Sequence, residues 1–328
     1  MALKCPTIKL DVWKGDWGLP SVDIECLRFM ACTRFSNLEF DVKKTNNPFW
    51  TPNGALPVAH YGSRDITDFD DLQALLKFKN MSPDEGLSKK QLAEAEAYTN
   101  MLKEKLYPAI LYTWWIDEKN FTTLTKPWYA KALPFPFNFY YPRKFKNHAN
   151  SVMEALFDSL GSQDNIETKV YSDASKCLTS LSVRLDSSEF MFGAHPTSID
   201  ATLFAYLAPL LKVPFKNTLL QNHLKECHNL QKFVIRILQR YFPKDCQDYE
   251  TQRRNEAKSN VGSNDTEFPN KRRNQFFATL FAVIAMLSYA VSAGIVQIPY
   301  SWKFWKRKSE PINVRLSLLW DWKKMTNS

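Results

Sequence analysis

The chain has 328 residues, 45% of them apolar and 14% aromatic, enough to bury a sizeable core and to exclude an intrinsically disordered protein. Its formal charge is +9, yet residues 1–250 carry 30 Lys+Arg against 29 Asp+Glu while residues 251–328 carry 13 against 5. The excess basicity therefore surrounds a hydrophobic stretch near the C-terminus and does not form a basic face for nucleic acid. Six cysteines, at positions 5, 26, 32, 177, 227 and 246, show no CxxC spacing and are expected as reduced thiols. The opening Met-Ala-Leu-Lys-Cys-Pro has neither the apolar run of a secretory signal nor the Arg/Ser-rich pattern of a mitochondrial presequence, so any membrane address is expected at the other end.

In chain order, Ile8 to Trp13 and Leu38 to Lys43 alternate apolar and polar residues as strands do, and Ser21 to Phe35 between them predicts a helix. This makes a right-handed βαβ unit with two parallel strands. Leu56-Pro57-Val58 opens a third short strand, and a helix over Asp68 to Lys79 follows the Gly62-Ser63 turn. The order resembles a thioredoxin-like domain, in which a proline at the start of the third strand is commonly cis; Pro57 holds that position.

From Leu87 the periodicity is helical. Leu92, Ala95, Tyr98, Leu102 and Leu106 share one face, and Leu220, Leu224, Cys227, Val234, Leu238 and Tyr241 share the face of one last helix. Thr197 followed by Asp200 at the third helical position reads as a capping box built with Asp. Between these, Lys126 to Arg143 carries Trp128, Tyr129, Leu133, Phe135, Phe137, Phe139, Tyr140 and Tyr141, interrupted by Pro134, Pro136 and Pro142. The prolines predict an irregular aromatic segment, either an exposed contact patch, with Trp128, Phe135, Phe137, Phe139 and Tyr140 as partner-contact candidates, or a plug between domains.

Residues 243–274 are polar and rich in Pro, Gly, Ser and Asn, and predict a flexible linker. Phe276 to Val296 is then a 21-residue run free of charge and proline. At about 1.5 Å per residue such a helix spans roughly 30 Å of hydrocarbon. Lys271, Arg272 and Arg273 precede it, and Lys303, Lys306, Arg307 and Lys308 follow. The span predicts a C-terminal transmembrane anchor running through Phe276, Leu280, Ile284, Tyr289, Gly294 and Val296, with Ala290 and Gly294 spaced for close approach of another helix. With so few residues beyond it, the anchor is of the tail-anchored kind. Its basic flanks suit the mitochondrial outer membrane or the endoplasmic reticulum. Trp302, Trp305, Trp320 and Trp322 beyond it suit either the bilayer interface or a basic tail over 299–328.

The fold class expected is α+β: a thioredoxin-like N-terminal domain over 1–82, an all-helical domain over 83–242, the 243–274 linker and the anchor over 275–298. That order resembles the glutathione-transferase architecture, which holds glutathione beside a Tyr, Ser or Cys near the start of the first helix. Ser21 is the hydroxyl in that place here, and capping or starting the helix is its alternative role. Asp65-Ile66-Thr67-Asp68 stands where transferases present a Glu/Gln-Ser pair; Thr67 supplies the hydroxyl, but Ile66 replaces the acid or amide. Ser21, Pro57 and Thr67 thus mark a vestigial glutathione site at most. His223, Cys227 and His228 lack a nearby fourth ligand for zinc, and no Gly-rich phosphate loop is present.

Several stretches together resemble the metaxin family, in its type that keeps a C-terminal anchor. They are Gly15-Asp16-Trp17-Gly18-Leu19-Pro20-Ser21-Val22-Asp23, Leu56-Pro57, Lys105-Leu106-Tyr107-Pro108, Thr113-Trp114-Trp115-Ile116-Asp117 to Asn120, and Trp128-Tyr129 through Phe139. Phe192-Gly193, Ser198-Ile199-Asp200-Ala201, Tyr206-Leu207-Ala208 and Arg272-Arg273-Asn274-Gln275 continue the series. The resemblance implies a non-catalytic subunit without a cofactor, on the mitochondrial outer membrane with its body facing the cytosol. It would serve the sorting and assembly machinery that inserts β-barrel proteins. Its partners would be another metaxin-type subunit and the β-barrel insertase core, with no nucleic acid. A motor-adaptor role and a glutathione-dependent transferase or peroxidase are the alternative functions.

Overall fold

The structure is a computed structural model that describes residues 7–261 apart from 39, 46 and 158–162, together with Thr279, Val283 and Met286. Residues 1–259 form one compact unit and residues 260–328 a second.

Strand β1 (Ile8–Trp13) turns Ile8, Leu10 and Val12 into the core, as its alternation dictates. Helix α1 (Ile24–Phe35) follows and returns the chain to β2 (Phe40–Thr45), which pairs parallel to β1 in the register Ile8 opposite Phe40. β3 (Val58–Tyr61) pairs antiparallel with β1 on its other side, and β4 (Arg64–Ile66), a short strand the sequence reading missed, completes the order β2-β1-β3-β4. The Leu56-Pro57 peptide is cis, as expected. Helix α2 (Phe69–Phe78) is capped by Asp68, whose carboxylate accepts the N–H of Asp70 at 2.8 Å.

The helical half begins with α3 (Lys89–Met101), capped by a Ser88/Gln91 capping box. Its continuation alternates with widened turns: a π turn over Leu102–Leu106, α4 (Tyr107–Leu111), a π turn over Tyr112–Ile116, the short α5 (Glu118–Asn120), a π turn over Phe121–Thr125 and α6 (Lys126–Ala132). Two of these turns lie just before prolines, Pro108 and Pro127. A proline has no N–H for the carbonyl four residues back, and the helix widens there without ending. Then come α7 (Phe137–Phe157), α8 (Gln163–Leu185), α9 (Ser198–Lys212), α10 (Leu219–Glu226) and α11 (His228–Tyr241). The last amphipathic stretch is therefore two helices broken at Cys227 and not one. Leu92 is exposed on α3, while Ala95, Leu102 and Leu106 of its expected stripe are buried.

The aromatic stretch 126–143 is also more regular than its prolines predict. Pro127 follows directly on the π turn over Phe121–Thr125, which accommodates its missing N–H; Pro136 stands directly before α7, where a helix has no intrahelical use for the N–H, and Pro142 is inside α7. Only residues 133–136 are irregular, with a cis Phe135-Pro136 peptide.

Helices α1 and α9 join the two halves. Both are buried around most of their circumference, since α1 lies between the sheet and α9, and α9 runs through the middle of the helical half. Arg28 of α1 crosses this seam: its Nε donates to Thr202 Oγ1 at 3.0 Å and its guanidinium lies 3.7 Å from the centroid of the Phe69 ring. Asp84, between α2 and α3, accepts the N–H of Ser198 at 2.7 Å and so ties the connecting segment to the start of α9.

The stretch expected as a flexible linker from 243 onward begins as helix α12 (Pro243–Val261). Its first turns dock on the loop after β1. Asp245 pairs with Lys44 at 2.8 Å, the Cys246 thiol donates to the Gly18 carbonyl at 3.5 Å, and Tyr249 lies against Gly18. The polar composition hides a contact face at 245, 246 and 249, because its partner Gly18 is 228 residues from Cys246 in sequence but adjacent in space. Among the described residues no helix is long and apolar enough to cross a membrane. The expected anchor residues Phe276, Leu280, Ile284, Tyr289, Gly294 and Val296 lie outside the described residues.

Candidate functional site

The loop Gly15 to Asp23 determines what remains of a transferase site. Asp23, not Ser21, caps α1, its carboxylate accepting the Cys26 N–H at 3.0 Å. Ser21 is wholly buried, and its hydroxyl oxygen accepts the Asp23 N–H at 3.3 Å. Leu19 and Pro20 carbonyls press so close to Gly15 that any side chain there would collide with the backbone. The hydroxyl expected to face a thiolate is thus used in a turn and has no solvent access. Pro57 is buried, and the Thr67 hydroxyl accepts from Asn53 Nδ2 at 3.0 Å. Ile66 is buried in β4. Ser21 and Thr67 are thus each held by a hydrogen-bond partner of the fold, and Pro57 is buried.

The sequence stretches flanking this loop converge on it. Asp16 accepts the Trp17 N–H at 2.7 Å through one carboxylate oxygen and the Trp128 indole N–H at 2.8 Å through the other. Trp17 packs on Trp114 and Trp128, and Tyr129 and Trp13 meet edge to face behind them. Asn120, also wholly buried, accepts the N–H groups of Lys216 and Asn217 and donates to the Thr113 carbonyl, which fixes the segment before α10. Asp200 accepts the N–H groups of Met191 and Thr197 and the Thr197 hydroxyl, each within 2.9 Å. Desolvation raises its carboxyl to about 6 against those bonds, which lower it. His223 is taken up by the Ser175 carbonyl and the Thr179 hydroxyl, and His228 by the Lys225 carbonyl. Among the described residues no group of three metal-ligating side chains is assembled.

The exposed large apolar side chains include a group of aromatics from the stretch 126–143. The partner-contact candidates divide: Trp128 and Phe137 are half-buried as plug residues, whereas Phe135, Phe139 and Tyr140 are exposed, Phe135 by 80%. Two further residues join them that sequence reasoning missed, Phe49 and Trp50, the latter 83% exposed. Phe49 packs on Phe137 with centroids 4.9 Å apart, linking the short 3-10 turn Pro48–Trp50 to the start of α7. Around them residues 119–153 hold six Lys+Arg and no Asp or Glu, a local bias that the charge balance of the whole body conceals. Lys126, Lys131, Arg143 and Lys144 are exposed. Exposed aromatic side chains on a segment of basic bias are the composition of a docking surface for an acidic partner.

The mixed sheet with its parallel β1/β2 pair and antiparallel β3 and β4, followed by the helical half, defines a protein of the glutathione-transferase-like class. Residues 174–237 match the family described as glutathione S-transferase, C-terminal domain. Among solved structures the chain is similar to a glutathione S-transferase of Ceriporiopsis subvermispora in complex with glutathione, at 11% identity, TM-score 0.49, covering 73% of this chain and 100% of that one. Glutathione transferase F7 of Populus trichocarpa is similar at 14% identity, TM-score 0.45, covering 75% and 98%. Residues 26–146 match the family described as outer mitochondrial membrane transport complex protein. Metaxin-1 of Mus musculus is 37% identical over 294 residues, 89% of this chain and 92% of its own. Metaxin-3 of Danio rerio is 38% identical over 72% of this chain and 76% of its own, and the Metaxin-1 homolog of Caenorhabditis briggsae 31% identical over 89% and 97%. The chain belongs to the metaxin family.

Proposed function

We propose that this chain is a non-catalytic subunit of the mitochondrial outer-membrane sorting and assembly machinery, supporting import and β-barrel insertion by docking partner subunits. The observation that carries this reading is the exposed aromatic surface of Phe49, Trp50, Phe135, Phe139 and Tyr140, on a body whose transferase hydroxyl, Ser21, is buried. The family matched by residues 26–146, an outer mitochondrial membrane transport complex protein, supports this reading. In this reading residues 1–82 and 83–242 are the two transferase-like parts, and 275–298 tether the body, facing the cytosol, to the membrane. Tethering raises the effective concentration of the docking surface for other membrane-bound subunits. The partners are another metaxin-type subunit and the β-barrel insertase core.

The test is purification of the full chain from its own cells in mild detergent, with Phe135→Asp/Phe139→Asp beside the wild type. Both side chains are exposed, so the double variant folds, and its recovery of partner subunits is expected to fall at least tenfold with reduced porin-type β-barrel assembly. Normal β-barrel assembly after deletion of the chain, with no paralogue compensating, overturns the reading. Altered mitochondrial distribution with β-barrel levels unchanged would favour the motor-adaptor function instead. Retention on immobilised glutathione, lost on Ser21→Ala, would favour the enzyme.

A further inference from the structure

Separate from the aromatic surface, a cavity of about 490 Å³ opens beside the start of α1. One wall is the first turn of that helix, from Val22 to Glu25; the others are aromatic, with Tyr107, Trp114, Trp115, Tyr129, Phe145 and Tyr206 contributed by five elements of the helical half. The volume falls within the roughly 300–1,000 Å³ of small-molecule sites, and apolar walls with few polar groups are their usual lining.

The electrostatics of the cavity choose the ligand. Asp23 and Glu25 both line it. The partial positive charge of the α1 N-terminus opposes them, but it amounts to about half an elementary charge and the Asp23 carboxylate already caps it. Glu25 is partly neutralised by Arg28, 3.6 Å away, which leaves Asp23 as the principal charge. Burial first, and then the Asp23 and Glu25 charges, push Tyr107 up to about 12; burial and Asp23 do the same to Tyr129 in direction, and burial and Glu25 to Tyr206. Lys103 and His148, the basic groups of the lining, are both exposed, as is Glu25, whereas Asp23 is half-buried and supplies the charge nearest the apolar walls. Aromatic faces add their own attraction for a cation, strongest where water is displaced.

We propose that this cavity binds a small apolar molecule carrying a cationic head, of the alkyl- or arylammonium class. The aromatic walls take the apolar body and the Asp23 carboxylate the ammonium. An anion such as a thiolate or carboxylate meets the opposite field, so the ligand preference is the reverse of that of a glutathione site.

The full chain in non-ionic detergent at pH 7.5 tests this by calorimetric titration with benzyltrimethylammonium, its neutral isostere neopentylbenzene, and benzenesulfonate. Benzyltrimethylammonium is expected to bind at one site and more tightly than either of the others. Asp23→Asn keeps the helix cap, since Asn caps as well as Asp, but removes the charge. It is expected to weaken the cation about tenfold and leave neopentylbenzene unchanged. Ile110→Trp, which fills the cavity, is expected to abolish binding of both; if that variant does not fold, the Asp23→Asn comparison alone decides. Absence of saturable cation binding, equal or tighter binding of benzenesulfonate, or an Asp23→Asn variant that binds the cation as the wild type does would each overturn the proposal.

Discussion

Asp200 shows how a single residue can satisfy its hydrogen bonds and still cost stability when ionised. It is wholly buried and accepts three hydrogen bonds, yet desolvation leaves its carboxyl at about 6, above the ordinary 3.8. With the folded value above the unfolded one, the native state takes up the proton first. Stability from this group therefore rises as pH falls from about 7 to about 4, by at most about 3 kcal/mol. Urea titrations of wild type and Asp200→Asn at pH 4.5 and 7 are expected to show the wild type gaining on the variant at the lower pH. The spacing of Thr197 and Asp200 was legible in the sequence because a cap is local. The bond from Asp200 to the Met191 N–H was not, because the Phe190–Gly193 bridge that presents it has no periodic signature. Asp16 is comparable: the sequence shows a Gly-Asp-Trp-Gly turn, and only the fold brings Trp128 onto its second oxygen. Asp16→Ala is expected to lower stability by about 1–3 kcal/mol in the same titration, since it leaves the Trp17 N–H and the Trp128 indole unpaired.

At the scale of elements, composition misled where a helix docks through few residues. Helix α12 looks polar and unstructured by residue type, but Asp245, Cys246 and Tyr249 form one side of it against Gly18 and Lys44. Gly18 has φ +79°, a conformation costing other residues about 1–2 kcal/mol. Gly18→Ala is expected to loosen this contact, seen as faster amide exchange over residues 245–255 with exchange in α1 and α9 unchanged. The prolines misled in the opposite direction. They stop helices only when their missing N–H falls on an interior hydrogen bond that cannot be rerouted, and here the chain uses helix starts and widened turns to accommodate Pro108, Pro127 and Pro136.

For the whole molecule, the anchor proposal has a direct check. Leu280→Arg with Ile284→Arg places two charges near the middle of the span, each costing about 2.5–3.5 kcal/mol there. The double variant is expected to move from the membrane pellet to the soluble fraction on carbonate extraction, with the body still folded by its tryptophan fluorescence. The sequence by itself determined the βαβ start, the cis-proline position, the helical second half, the caps and the apolar span. These depend on residue type and short periodic spacing, which local backbone geometry enforces. Only the tertiary structure decided that Ser21 is sealed inside, that Trp128 and Phe137 plug while Phe135 and Phe139 face outward, and that Phe49 and Trp50 join them. Exposure is a property of what packs on a residue from distant parts of the chain, and no short stretch of sequence contains its own neighbours.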